Sequence, residues 1–226
     1  MPGGECVIIV AGGQGLRMGA DIPKQFIPIG QRPILMHTIE KFLSWNNSLK
    51  VILVLPQNQF SYWESLCRNY DFTQKHILVA GGETRFHSVK NGLQHIGDSQ
   101  LIAIHDGVRP FVSQETIERC FSAADEKGAA IPVINVSESL RKIEKNGIAS
   151  VGLKRSDYRL VQTPQVFKSS IICKAYELNY NDAFTDDASV VEAAGFPIFL
   201  VEGNLENIKI TTPFDLKVAE ALINKT

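Results

Sequence analysis

Two cationic side chains, Arg17 and Lys24, follow the glycine run "AGGQG" at residues 11–15, with Asp21 the only acidic residue between them. An arginine brings a planar fork of donors that matches phosphate oxygens, and a lysine brings a compact charge. Glycines let a backbone approach a ligand closely and turn its N–H groups toward it. Pro23 stiffens the chain just before Lys24. The combination points to an anion site, although a plain strand-to-helix turn would use the same three glycines. Two common phosphate cradles are not matched. A P-loop needs its lysine directly after the last glycine, whereas Lys24 lies five residues beyond Gly19. The dinucleotide fingerprint running from Gly13 and Gly15 requires a glycine at position 18, where the chain has Met18.

A second stretch, "IAIHDGVRPF" at residues 102–111, ends an apolar run on Asp106. At the carboxyl end of a parallel strand that carboxylate projects toward the same sheet edge as the glycine loop. A hard oxygen donor suits Mg²⁺, which takes one or two protein carboxylates and shares substrate phosphates, so Asp106 is a candidate ligand. Asp and Gly are equally ordinary turn residues, and "DGVRP" can be read as a turn. Arg109 could bind substrate or pair with Asp106. His105 has no Cys, His or Glu at ligand spacing and reads as structural.

The elements that must position these residues alternate along the chain. Apolar runs at 6–11, 50–56, 76–80, 101–106 and 129–134 read as strands, and longer amphipathic stretches between them read as helices. Strands that are apolar throughout predict an α/β fold with a mostly parallel, Rossmann-like sheet covered by helices on both faces. From about residue 136 the pattern turns polar and carries an Asn146-Gly147 turn, which predicts a projecting β-arm over 136–157. Helices at 168–179 and 186–195, strands at 197–201 and 207–211, and a last helix from Pro213 complete the reading.

The 226 residues, 44% hydrophobic, suffice for one substantial core, so a single domain over 1–226 is expected. A formal net charge of −1 offers no global field for a nucleic acid or an anionic membrane, and neither is expected as a partner. Cys6, Cys67, Cys120 and Cys173 lack C-x-x-C spacing, which argues against a disulfide framework or structural zinc and for reduced thiols in a cytoplasm. No apolar run approaches 18 residues, and the first residues lack the form of a signal peptide.

The ordered set "AGGQGLRMG…PKQF", "GGETRFHSVKNGL", "HDGVRPF", "RSDYRLVQTPQVF", "TDDASVVEAAG" and "ENIKIT" resembles the 2-C-methyl-D-erythritol 4-phosphate cytidylyltransferase family, collinearly and nearly end to end. The resemblance implies transfer of cytidine monophosphate from CTP to a polyol phosphate with release of pyrophosphate, a divalent cation such as Mg²⁺, and a homodimer with interlocking β-arms. Ala11, Gly12, Gly13 and Gly15 fall on the family's CTP phosphate cradle. Arg17 and Lys24 fall on its pair of catalytic cations, Lys209 on a further phosphate-binding lysine of the catalytic set, and Gly81, Gly82 and Ser88 on its cytosine and ribose contacts. Asp106, Arg109 and Thr163 fall in its substrate pocket. Ser139 and Arg155 lie in the arm, where Arg155 matches the arginine that reaches the polyol phosphate of the neighbouring subunit. Ser139 stands where a threonine is common and Gly107 where alanine is usual. A ribitol 5-phosphate cytidylyltransferase would fit several of these motifs equally well, and a nucleotide-binding module without turnover is the alternative from another class.

Overall fold

The computed structural model describes residues 4–12, 22–144, 147 and 149–223. In chain order its strands are β1 (Glu5–Val10), β2 (Pro28–Ile29), β3 (Arg32–Pro33), β4 (Lys50–Leu55), β5 (Ile77–Ala80), β6 (Leu101–Asp106), β7 (Ala129–Asn135), β8 (Leu140–Ile143), β9 (Ser150–Leu153), β10 (Arg159–Val161), β11 (Gln165–Lys168) and β12 (Phe199–Glu202). The helices are α1 (Ile34–Trp45), α2 (Phe60–Asn69), α3 (Arg85–Leu93), α4 (Gln114–Lys127), α5 (Ser169–Ala175), α6 (Asp187–Ala193) and α7 (Pro213–Ile223).

The central strands β6, β1, β4 and β5 pair in parallel in that order. Beyond β6 the sheet becomes mixed. β11 runs antiparallel to both β6 and β7, β10 antiparallel to β7, and β12 parallel to β7. The uniformly apolar strands are explained by two cores, one on each face. Val7, Ile9, Val51, Leu53 and Ala103 pack with α1, α2 and α4, through side chains such as Phe42, Trp63, Ile117 and Phe121. Their alternate neighbours Cys6, Ile8, Ile52, Val54 and Ile104 pack with α3, α5 and α6, through Phe86, Val89, Ile172 and Val191. The period-2 alternation of a strand thus sends every residue into one core or the other.

Local signals fix the helix ends. Thr84 caps α3, Ser113 caps α4, and Asp186 with Ser189 forms a reciprocal capping box on α6. The polar stretch after residue 136 is a hairpin in which β8 and β9 pair only with each other, with Gly147 at φ 71° in its turn. Asn146 lies outside the described residues. Two expectations are corrected. Residues 207–211 form no strand: Ile210 N–H donates to Val108 O, but the neighbouring backbone is held by side chains, Asn207 O by Arg109 and Thr211 N–H by Asp215, rather than by a ladder. β11 was not anticipated: "TPQ" at 163–165 reads as a turn, and the four residues that begin at Gln165 are too few to stand out as a strand.

Candidate active site

The four parallel strands end together, and their carboxyl ends build a cavity of about 460 Å³. Val10, Ala11 and Gly12 continue from β1, Pro56 and Gln57 from β4, Gly81 to Arg85 from β5 into α3, and Asp106 and Val108 from β6. Lys24 and Lys209 complete the wall. This is the edge at which doubly wound sheets place ligands, and the volume suits a small molecule. Lys24 is held there by its short 3-10 turn, Lys24–Phe26, because Phe26 is buried against Trp63 with ring centroids 6.1 Å apart. Gly82 is required by close approach: a Cβ would run into the His87 side chain and lie 3.0 Å from its carbonyl carbon. Gly82 N–H donates to Ser88 Oγ at 3.1 Å, and Ser88 Oγ donates to Thr84 O at 2.9 Å.

Asp106 is the electrostatic centre. Its Oδ2 accepts from Arg109 Nε at 3.1 Å and forms an ion pair with Lys209 Nζ, also at 3.1 Å, and Arg85 Nε lies 3.7 Å from Oδ1. Burial alone would raise its pKa, but Arg85, Lys209 and Arg109 outweigh burial and hold the carboxyl well below the usual carboxylate range. Asp106 is therefore ionised at neutral pH. Its backbone N–H donates to Thr163 Oγ1 at 3.1 Å, so Thr163 braces the carboxylate from beneath and is itself buried. Asn207 ties in the loop that carries Lys209: Asn207 Nδ2 donates to Thr163 O at 2.8 Å, and Arg109 Nη1 donates to Asn207 O at 2.7 Å.

Of the residues read from the sequence, Ala11, Gly12, Lys24, Gly81, Gly82, Ser88, Asp106 and Lys209 converge on the cavity. Arg109 and Thr163 support Asp106. Gly13, Gly15 and Arg17 lie outside the described residues. Ser139 and Arg155 are exposed on the arm and are not brought to the cavity by their own chain. Arg155 instead lines a separate depression with Asn135 and Ser137, donating through Nη1 to Ser137 O at 2.6 Å. His105 is structural, fully buried with Nε2 3.1 Å from Arg109 O.

The donor set does not fit a divalent ion held by Asp106. Among the described residues no three His, Cys, Asp or Glu side chains gather for a metal. Asp106 already neutralises three cations, and a dication placed on it would face all of them. The charge balance at Asp106 speaks against its reading as a Mg²⁺ ligand.

Sequence reasoning missed Arg85 as a site residue. A signal was present: a basic residue in the first turn of a helix opposes the macrodipole, so its position directly after "GGET" required another reason.

The comparisons with known proteins agree with the geometry. A sequence profile described as IspD, 2-C-methyl-D-erythritol 4-phosphate cytidylyltransferase, matches residues 5–225. The protein of that name from Phocaeicola vulgatus is 58% identical over 217 residues, covering 96% of this chain and 98% of the relative. The crystal structure of 2-C-methyl-D-erythritol 4-phosphate cytidylyltransferase from Thermus thermophilus superposes with a TM-score of 0.79 at 32% identity, covering 98% of this chain and 99% of the other. The 4-diphosphocytidyl-2C-methyl-D-erythritol synthase of Anaerococcus prevotii gives 0.84 at 27% identity, covering 99% and 97%. The chain belongs to the 2-C-methyl-D-erythritol 4-phosphate cytidylyltransferase family.

Proposed function

We propose that this chain transfers cytidine monophosphate from CTP to 2-C-methyl-D-erythritol 4-phosphate, as its family membership implies, forming 4-diphosphocytidyl-2-C-methyl-D-erythritol and pyrophosphate for isoprenoid precursor synthesis. The observation that carries the reading is the cavity itself: glycine-lined strand ends face Lys24 and Lys209 around the ionised Asp106 carboxylate. A phosphate monoester is largely a dianion at neutral pH and needs no general base. One of its oxygens bonds to the α-phosphorus of CTP while the bond from that phosphorus to the bridging oxygen of pyrophosphate breaks. The lining supports direct transfer, because Ser88 Oγ is committed to Gly82 N–H and Thr84 O. What remains for the protein is to bring two anions together and neutralise their charge, the role assigned to Arg17, Lys24 and Lys209.

Gly12, Gly13 and Gly15 with Ala11 are assigned to the triphosphate, Gly81, Gly82 and Ser88 to the nucleoside, and Asp106, Arg109 and Thr163 to the polyol phosphate. Mg²⁺ or a similar cation is assigned to the triphosphate oxygens, which are hard donors for it, and to no side chain of this chain. The β8–β9 arm is proposed to embrace a second copy, delivering Ser139 and Arg155 to the neighbouring cavity. Supporting this, the arm makes no ladder with the main sheet, and Ile143 and Val151 are exposed on it. No described helix is long and apolar enough to cross a membrane, and the proposed setting is the cytoplasm.

The test is pyrophosphate release from CTP and Mg²⁺ with each polyol phosphate in turn. Release with the methylerythritol substrate at a kcat/KM far above that with ribitol 5-phosphate is the expected result. The reverse order selects the ribitol enzyme, and CTP binding without release selects the nucleotide-binding module.

A further inference from the structure

Asp187, the first residue of α6, reaches the cavity through Arg85. Arg85 Nη1 and Nη2 donate to the two oxygens of Asp187 at 2.9 and 2.6 Å, a bidentate fork. Tyr176 OH donates to Asp187 Oδ1 at 2.7 Å, and Asp187 is fully buried. Nε, one of the three N–H donors that the fork leaves over, lies 3.7 Å from Asp106 Oδ1 on the cavity wall. Lys209 and Arg109 hold the opposite oxygen, Oδ2. The result is an alternating row, Asp187, Arg85, Asp106 and then Lys209 with Arg109, in which the carboxylate is fixed from both sides. At 3.7 Å the Arg85 contact is Coulombic and not a hydrogen bond, which leaves Oδ1 capacity to accept from a substrate hydroxyl.

We propose that Arg85 is a positioning residue for the polyol-phosphate half of the reaction: clamped from behind by Asp187 and Tyr176, it orients Asp106 and thereby Lys209 and Arg109. The proposal rests on the function argued above. A buried fork serving only to dock α6 on α3 would have no need to lie between two carboxylates with one face on the cavity. Burial works against the Arg85 charge, but Asp187 and Asp106 outweigh it, so the guanidinium stays charged and the row persists across the working pH range.

The test is a two-by-two set, wild type, Arg85→Lys, Asp106→Asn and the double variant, with Asp187→Asn alongside. Lysine keeps the charge but cannot serve Asp187 bidentately while reaching Asp106. Arg85→Lys and Asp187→Asn are expected to raise KM for the polyol phosphate about tenfold and to leave the calorimetric Kd for CTP within about twofold. Acting through Asp106, Arg85→Lys adds nothing once Asp106→Asn is present. Independent, multiplying effects on KM would overturn the proposal. So would an equal loss of CTP affinity, or a lowered Tm with unchanged KM, which would make the clamp only a helix dock. Should Arg85→Lys fail to fold, Tyr176→Phe, which removes one donor and no charge, is read in its place against the same KM criterion. Wild-type release of pyrophosphate judges the functional reading separately. If neither polyol phosphate is turned over, that reading fails, while thermal melts of the four proteins without substrate still read the Arg85–Asp106 coupling. Non-additive Tm shifts support it, and additive ones overturn it.

Discussion

His105 lies under the cavity with Nδ1 3.0 Å from Thr163 Oγ1 and Nε2 3.1 Å from Arg109 O. Thr163 Oγ1 accepts from Asp106 N–H, so its own proton is available to Nδ1, and the imidazole then donates from Nε2 as a neutral ring. Burial is the main cause that lowers its pKa to about 4, from 6.5. A folded-state pKa below the unfolded value means that the unfolded chain binds the proton more readily. The stability contribution is therefore complete above pH 6.5 and is lost as pH falls toward 4. By linkage that loss amounts to about 3 kcal/mol. Urea melts of wild type and His105→Gln should show the wild type losing about 2 to 3 kcal/mol more than the variant between pH 7 and pH 4.5. Parallel pH profiles would mean that His105 titrates normally. At this scale much was legible. The absence of ligand-spaced partners marked His105 as structural, and Lys24 beside the glycines pointed to a wall of the cavity. The role of Arg85 was hidden because its anchor, Asp187, is 102 residues away in sequence.

The elements were legible where one pattern decided them. Strands buried on both faces are apolar at every position, and the helices between them repeat at 3.6 residues, so the parallel core followed from the chain. The segment 207–211 misled because apolar residues alternate in it as in a strand, while Asn207 and Ile210 are fixed by contacts with distant residues that no local pattern encodes. Gly107 shows how tightly β6 and β1 converge. A Cβ there would come within 2.7 Å of Ala11 Cβ and 3.1 Å of Leu35 Cδ1, so the alanine usual at this position has no room unless β1 shifts. Gly107→Ala is expected to cost about 1 to 3 kcal/mol by overpacking and to weaken CTP binding through Ala11, which lines the cavity. Denaturant melts with CTP calorimetry check this, and an unmoved midpoint would show that Ala11 yields without strain.

For the whole molecule the open question is where Arg155 works. Within its own chain it lies on the exposed arm, away from the cavity that holds Asp106. A two-stranded hairpin is marginal by itself in water and calls for something to pack against. Mixing Arg155→Ala subunits with Lys24→Ala subunits separates the cases. Removing Lys24 should lower kcat about 10²- to 10³-fold, by analogy with loss of one donor to a transition-state oxyanion, and removing Arg155 should raise KM for the polyol phosphate, so at subsaturating polyol phosphate each parent is nearly inactive. With random exchange about half of the dimers are mixed and each regains one complete site of two, returning roughly a quarter of wild-type activity. Confirmed exchange with no recovery would place Arg155 in its own site. The arm itself was legible as a polar hairpin, but its partner was not, because the chain states which surface is left over and not what covers it.

The loop that carries Lys209 has a further consequence. It is pinned by Asn207 and Arg109 and by Ile210, which is buried with Ile29, Ile34 and Val108 in a small cluster apart from the two cores, and it is not woven into the sheet, so it is expected to come loose while those two cores stay shut. Its release would strip Asp106 of one counter-charge and free Arg109 from Asn207 O in the same event. Catalytic competence then has its own, lower threshold, and mild denaturant would silence the enzyme while its spectrum still reads as native.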